Sequence, residues 1–268
     1  MNTFANIPCT AVLGKKRRPL TAVSSAATPI IPELKGKRII ITDGSSGVGK
    51  AVAFAFDANG CSVAILGSDR EVHRLDDVAR QLKRGLAVVV DLRQDGDARR
   101  AVKEAVHMLG GVDILVNSGG SPANLDGADE AAFMANFKLH LTGIVTLIKA
   151  AEEELIKNKG AVVNVSSAAA LIPGEMLKAY GAAKDKLTKD LAFHYAPQGG
   201  VINTELCNDR AELKGVGKKE MMAGLAAKHP LGRVSEPWEV ASTIVFLASK
   251  AAFITGASLP VDGGATLG

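Results

Sequence analysis

Aromatic side chains are scarce in this chain, at 4% of 268 residues with one tryptophan, so its interior has to be assembled from Ala, Val, Leu and Gly. Cysteine is scarcer still. Cys9, Cys61 and Cys207 are odd in number and far apart. They form neither a disulfide framework nor a zinc-site spacing, and they fit a reducing compartment, with the cytoplasm as the expected location. No apolar run is long enough to span a bilayer, so no membrane-embedded helix is expected. Acidic residues are absent from positions 1–32, where Lys15, Lys16, Arg17 and Arg18 account for the whole formal net charge of +4. The remainder is neutral and lacks the basic bias of a nucleic-acid-binding protein, so no nucleic acid is expected as a partner.

Residues 1–32 are rich in Ser, Thr, Ala and Pro and carry no helical or strand period. They read as a flexible basic extension. A basic, acid-free, Ser-containing start also matches a transit peptide, which leaves mitochondrial import as the alternative, although Pro8, Pro19, Pro29 and Pro32 interrupt an amphipathic helix. Residues 33–268 read as one domain with a large core. Strand-length apolar runs at 38–42, 62–66, 86–90, 113–116 and 161–165 alternate with helical patterns at 50–59, 71–83, 97–109, 128–157 and 175–195. A last strand is expected at Ser258–Val261. Such alternation argues for right-handed βαβ units and an α/β, doubly wound parallel sheet of the Rossmann kind.

Two stretches carry chemistry. The first is Thr42-Asp43-Gly44-Ser45-Ser46-Gly47-Val48-Gly49, between the first strand and the first helix. Glycines there let backbone approach a pyrophosphate, and the free N–H groups at the helix start favour an anion. The second is Ala161–Lys184, a strand ending in Ser166 and Ser167, a Pro173-Gly174 break, and a helix bearing Tyr180 and Lys184. Tyr180 and Lys184 are four apart and share one helical face. A nearby ammonium favours the phenolate, which suits a phenol for giving and taking protons near neutral pH.

These segments resemble the compact, single-domain short-chain dehydrogenases/reductases. That family has a T-G-x-x-x-G-x-G turn, an N-N-A-G segment after strand four, a Ser-Tyr-Lys set with Y-x-x-x-K, and a P-G-x-x-x-T segment after strand six. The resemblance runs from about Leu34 to Gly264 and includes His229–Arg233, Glu236–Val240, Phe246–Ser249 and Pro260–Gly264. Ser167, thirteen residues before Tyr180, is the serine it selects. It implies that Tyr180 is the general acid or base, that Lys184 lowers its pKa and holds the nicotinamide ribose, and that Ser167 binds the substrate oxygen. It further implies that Gly44, Ser45, Ser46, Gly47, Val48 and Gly49 cradle the pyrophosphate. By the same resemblance Asp91 and Leu92 would lie by the adenine, Asn117 and Gly119 along its ribose side, and Ile202 and Thr204 beside the nicotinamide amide. The position of a ribose-binding acid at the end of strand two is Gly67, followed by Ser68, Asp69 and Arg70. With no acid at Gly67, Ser68 and Arg70 favour NADP; Asp69 keeps NAD in play.

The chain departs from that pattern at four places. Asp43 replaces the turn's first glycine. Asn117-Ser118-Gly119-Gly120 stands for N-N-A-G. His140 takes the position of an Asn that serves a proton relay with the lysine, a task an imidazole suits by its pKa. After Gly199 the chain runs directly into Gly200–Thr204, without the apolar sixth strand and without the proline of P-G-x-x-x-T. The expectation is a sheet lacking its sixth strand, closed by pairing of the last strand with the fifth or left with a slot. Two functions follow. One is an oxidoreductase moving a hydride between NADP(H) and a carbonyl or secondary alcohol, in a homodimer or homotetramer. The other is a non-catalytic family member, a binding subunit or a variant lacking a core strand.

Overall fold

The computed structural model describes residues 29–119, 130–167, 201–207, 224, 226, 227, 229–249 and 253–266. Its centre is a parallel sheet of seven strands in the order β3-β2-β1-β4-β5-β6-β7. These are β1 (Arg38–Thr42), β2 (Ser62–Gly67), β3 (Gly85–Val89), β4 (Ile114–Asn117), β5 (Ala161–Ser167), β6 (Val201–Cys207) and β7 (Ser258–Pro260). The described helices are α1 (Gly47–Ala58), α2 (Val72–Gln81), α3 (Asp97–Leu109), α4 (Glu130–Phe137), α5 (Gly143–Lys157) and α6 (Pro237–Ser249). A π-helical turn, Lys138–Thr142, joins α4 to α5, so the expected long helix is continuous but widened in the middle.

The central strands β1, β2 and β4 are largely apolar because both faces of the sheet are covered there. In β1, Ile39, Ile40 and Ile41 are all fully buried. Ile39 and Ile41 share one core with Val52 and Phe56 of α1, Leu75 of α2 and Ile244 of α6. Ile40, pointing the other way, joins Ala101 of α3 and Leu147 and Ile148 of α5. Small Ala and Gly residues let these helices lie close to the sheet. Packing already includes Ile31, whose N–H donates to Asn59 Oδ1 at 2.6 Å beneath the end of α1. None of the described helices is long and apolar enough to cross a membrane.

The sixth strand is the fold's correction to the sequence reading. Val201–Cys207 itself fills that position, paired in parallel with all of β5 from Ala161↔Val201 to Ser167↔Cys207. It then pairs with β7 through Thr204↔Ser258 to Leu206↔Pro260. The last strand does not pair with the fifth, and no slot is left between β5 and β7. The physical reason is the cost of unpaired backbone inside a sheet. With the inserted strand gone, the next extended segment supplies the missing N–H and C=O groups.

The strand order reverses between β1 and β4, and crevices at such a reversal are where α/β sheets bind ligands. The opposite end of this pair is clasped by Asp113. Its Oδ2 accepts from Arg38 Nε at 2.8 Å and from the Arg38 backbone N–H at 2.9 Å. Burial pushes the Asp113 carboxyl up, but the Arg38 hydrogen bonds outweigh it and hold the group below its ordinary range.

Candidate active site

The Gly-rich turn leaves β1 at its C-terminal end and delivers the chain into α1. Gly44 and Gly49 are glycines for lack of room. A Cβ on Gly44 would lie 2.5 Å from Ile65 Cβ, and one on Gly49 would lie 2.2 Å from the Asp43 carbonyl oxygen. Gly47 opens α1 with φ +50°. Ser46 stands at the N-cap in extended conformation, yet its side chain makes no cap hydrogen bond, and the first turn of α1 carries no acidic residue. The helix thus points its positive end at the sheet's switch point without a cap from Ser46, an arrangement suited to an anion. These features fit the pyrophosphate of a dinucleotide.

Asp43 adopts φ 54°, a left-handed conformation that a glycine takes freely and Asp tolerates. Its side chain has room because position 119 is glycine: a Cβ there would sit 2.7 Å from Asp43 Cβ. Two departures from the family pattern are thus one. Bulk gained at 43 is matched by bulk lost at 119. Gly119 is held beside the turn by its N–H, which donates to Thr42 Oγ1 at 3.0 Å.

Asn117 ends β4 and is fully buried, its Nδ2 donating to Asn164 Oδ1 of β5 at 2.8 Å. Among the described residues, no group pairs with Asn117 Oδ1 or with the buried Ser166 Oγ. A polar ladder therefore runs across the central strands at the end that carries the Gly-rich turn. β5 continues beyond the register of β4, which stops at Asn117↔Asn164, and it carries Ser167 to its last position. Tyr180 and Lys184 lie outside the described residues. Asn164 was not picked out from sequence; its only signal was an amide inside an otherwise apolar strand.

His140 is fully buried within the π turn. The helix does open at this residue, with the Gly143 N–H reaching back to the Lys138 carbonyl. Leu92 packs on the same spot, where a Cβ on Gly143 would meet Leu92 Cβ at 3.0 Å. The structure thus brings the connection after β3 against the turn that holds His140.

Just after β3, Asp91 is engaged by Arg93, two residues on. Arg93 Nε and Nη2 donate to its two oxygens at 2.8 and 2.9 Å, and these bonds hold the carboxyl below its ordinary range. Ser68 precedes a short 3-10 turn, Asp69–Glu71, in which Arg70 is exposed. Glu71, unremarked in the sequence, accepts from Ser45 Oγ of the Gly-rich turn at 3.3 Å and from Arg74 Nη2 at 2.6 Å. Ile202 and Thr204 do not line a loop. Both are inside β6, Ile202 level with Val162 and Thr204 level with Asn164, because the sheet has recruited their segment.

Comparison with known proteins agrees with this geometry. A family model described as enoyl-(acyl carrier protein) reductase matches residues 44–266. L-fucose dehydrogenase of Rattus norvegicus is 34% identical over 247 residues, covering 87% of this chain and 90% of that protein. L-rhamnose 1-dehydrogenase (NAD(P)(+)) of a Sphingomonas species is 34% identical over 251 residues, covering 86% and 96%. A short chain dehydrogenase from Burkholderia cenocepacia, solved in complex with NADP, superposes with a TM-score of 0.78 at 26% identity, covering 87% of this chain and 99% of that one. The chain belongs to the short-chain dehydrogenase/reductase family and is an NAD(P)-dependent enzyme.

Proposed function

We propose that this enzyme moves a hydride between NADP(H) and a carbonyl or secondary alcohol, with Tyr180 as general acid in reduction and general base in oxidation. The observation that supports the reading is the start of α1, without a Ser46 cap or an acid in its first turn, beside the Thr42–Gly119 contact and at the same end of the sheet to which β5 brings Ser167. The nicotinamide, when bound, supplies or accepts the hydride. Tyr180 donates its phenolic proton to the carbonyl oxygen, or takes the proton of the alcohol. The Lys184 ammonium stabilises the phenolate by its charge and donates to a ribose hydroxyl of the cofactor. Ser167 donates to the substrate oxygen and fixes its orientation. His140, buried in the widened turn, relays protons toward Lys184. Two relatives carry sugar names, L-fucose and L-rhamnose. A hydroxyl of a small polyhydroxylated substrate is therefore the class to screen first. The enzyme acts as a homodimer or homotetramer.

Substitution Tyr180→Phe tests the assignment. Removal of a general acid or base costs about 10²- to 10⁴-fold in rate. The expected result is such a loss in kcat, with NADPH affinity changed only a few-fold. Full activity in Tyr180→Phe would refute the role. A second reading has its own observation: β6 absorbs Ile202 and Thr204 into the sheet. A chain that binds NADPH normally and turns over none of a broad carbonyl and polyol panel would favour that non-catalytic reading.

A further inference from the structure

In Rossmann sheets the adenosine ribose lies between the Gly-rich turn and the end of β2, where an acidic residue about 20 positions on receives its 2′-hydroxyl and an arginine receives a 2′-phosphate. By strand position that acid is missing here, since β2 ends in Gly67. A side chain at Gly67 would have to displace Leu75, since a Cβ there would lie 3.0 Å from Leu75 Cδ1. The acid that does reach the Gly-rich turn comes from the next turn. Glu71 Oε2 accepts from Ser45 Oγ at 3.3 Å, and Ser45 is buried. Glu71 Oε1 accepts from Arg74 Nη2 at 2.6 Å.

The neighbouring cations sort clearly. Arg93 is bound to both oxygens of Asp91. Arg74 is bound to Glu71. The main-chain N–H of Arg70 donates to Asp69 Oδ1 at 2.9 Å, and among the described residues no acid pairs with its exposed guanidinium. Beside the Gly-rich turn stand Arg70 without an acid partner among the described residues, Arg74 of α2 held by Glu71, and the buried Ser45 hydroxyl held by the same carboxylate. The hydroxyl and the second arginine are the donors a 2′-phosphate seeks.

We propose that Glu71 is the residue that sets the choice between NAD and NADP, by competing with the 2′-phosphate for Ser45 and Arg74. This rests on the NAD(P)-dependent reading of the site. With NAD, Glu71 keeps both contacts and accepts the ribose hydroxyl. With NADP, the phosphate draws on Arg70 and on Arg74 against the charge of Glu71. The chain accordingly uses both cofactors, and neutralising Glu71 turns it toward NADP.

The experiment is a binding comparison on the full chain, read by NADPH and NADH fluorescence titration and by calorimetry with adenosine 2′,5′-bisphosphate and adenosine 5′-monophosphate. Wild type should bind both dinucleotides. Glu71→Gln keeps the size and an amide oxygen for Ser45 but removes the charge. It should raise the NADPH preference by about tenfold, equivalent to about 1.4 kcal/mol, and the two adenosine fragments should show the same shift. Arg70→Ala should lower that preference without weakening NADH. A Glu71→Gln chain that loses NADPH and NADH equally would mean that Glu71 only braces the turn, and it overturns the proposal while leaving the cofactor reading intact. An unchanged preference does the same. Failure of the wild-type chain to bind either dinucleotide overturns both.

Discussion

Positions 43 and 119 should behave as one unit. In Gly119→Ala the new Cβ would stand 2.7 Å from Asp43 Cβ, 3.2 Å from Thr42 Oγ1 and 3.3 Å from the Asp43 backbone nitrogen. Carbon contacts settle near 3.5–4.0 Å, so the first of these is about 1 Å too close. The clash is at Cβ, which no side-chain rotation moves, and Asp43 is already held at φ 54°. The cost should therefore match overpacking of a tight core, about 1–3 kcal/mol. Asp43→Gly alone removes the strained φ but gives the unfolded chain more freedom, effects of about 1 kcal/mol that oppose each other. In the double variant the clash partner is gone, and stability should return to within about 1 kcal/mol of wild type. Urea unfolding of the four proteins measures the coupling, expected at about 1–3 kcal/mol. In melting temperature this is about 2–12 °C for a domain of this size. Additive effects, with the double variant as unstable as Gly119→Ala, would refute the pairing.

Two further perturbations follow. Gly49→Ala places a Cβ 2.2 Å from the Asp43 carbonyl oxygen, a rigid backbone atom. It should abolish saturable NADPH binding in a fluorescence titration, and wild-type affinity would show that the turn is not the pyrophosphate site. Acid should destabilise the chain in a defined direction. Hydrogen bonds from Arg93 to Asp91 and from Arg233 to Glu239 hold these carboxyls below their ordinary range, and Asp113 is lowered against its burial. Folded values below the unfolded ones stabilise the protein above about pH 4 and lose that contribution as pH falls through the folded values. Unfolding free energy should thus be level down to about pH 4 and decline below it. A rise in stability on acidification would contradict the assigned ion pairs.

Much of this was legible in the sequence because the relevant physics is local. The Ile39–Ile41 run is apolar on both faces and announces a strand covered on both sides. Gly110, at φ 74° after α3, marks a helix end that needs a left-handed residue. The Gly-rich turn was readable because Gly44 and Gly49 sit where Ile65 and the Asp43 backbone leave no room for a side chain. β6 was not readable. Val-Ile-Asn-Thr-Glu-Leu-Cys has polar residues at its centre, and only the vacancy between β5 and β7 makes it a strand. Glu71 escaped notice because its significance lies in a contact with Ser45, 26 residues away, which no spacing rule reports. Asp43 and Gly119 read as two separate departures; the 2.7 Å approach makes them one.

With Val201–Cys207 as its sixth strand, the sheet should still deliver a dinucleotide to the switch point. Titration of the 268-residue chain with NADPH, followed by nicotinamide fluorescence and by melting temperature, decides this. Binding should saturate at one cofactor per chain. At a hundredfold excess over Kd it should also stabilise the chain by about 2.7 kcal/mol, a rise of about 5–11 °C. A fluorescence signal that never saturates, together with an unmoved melting temperature for both NADPH and NADH, would contradict this.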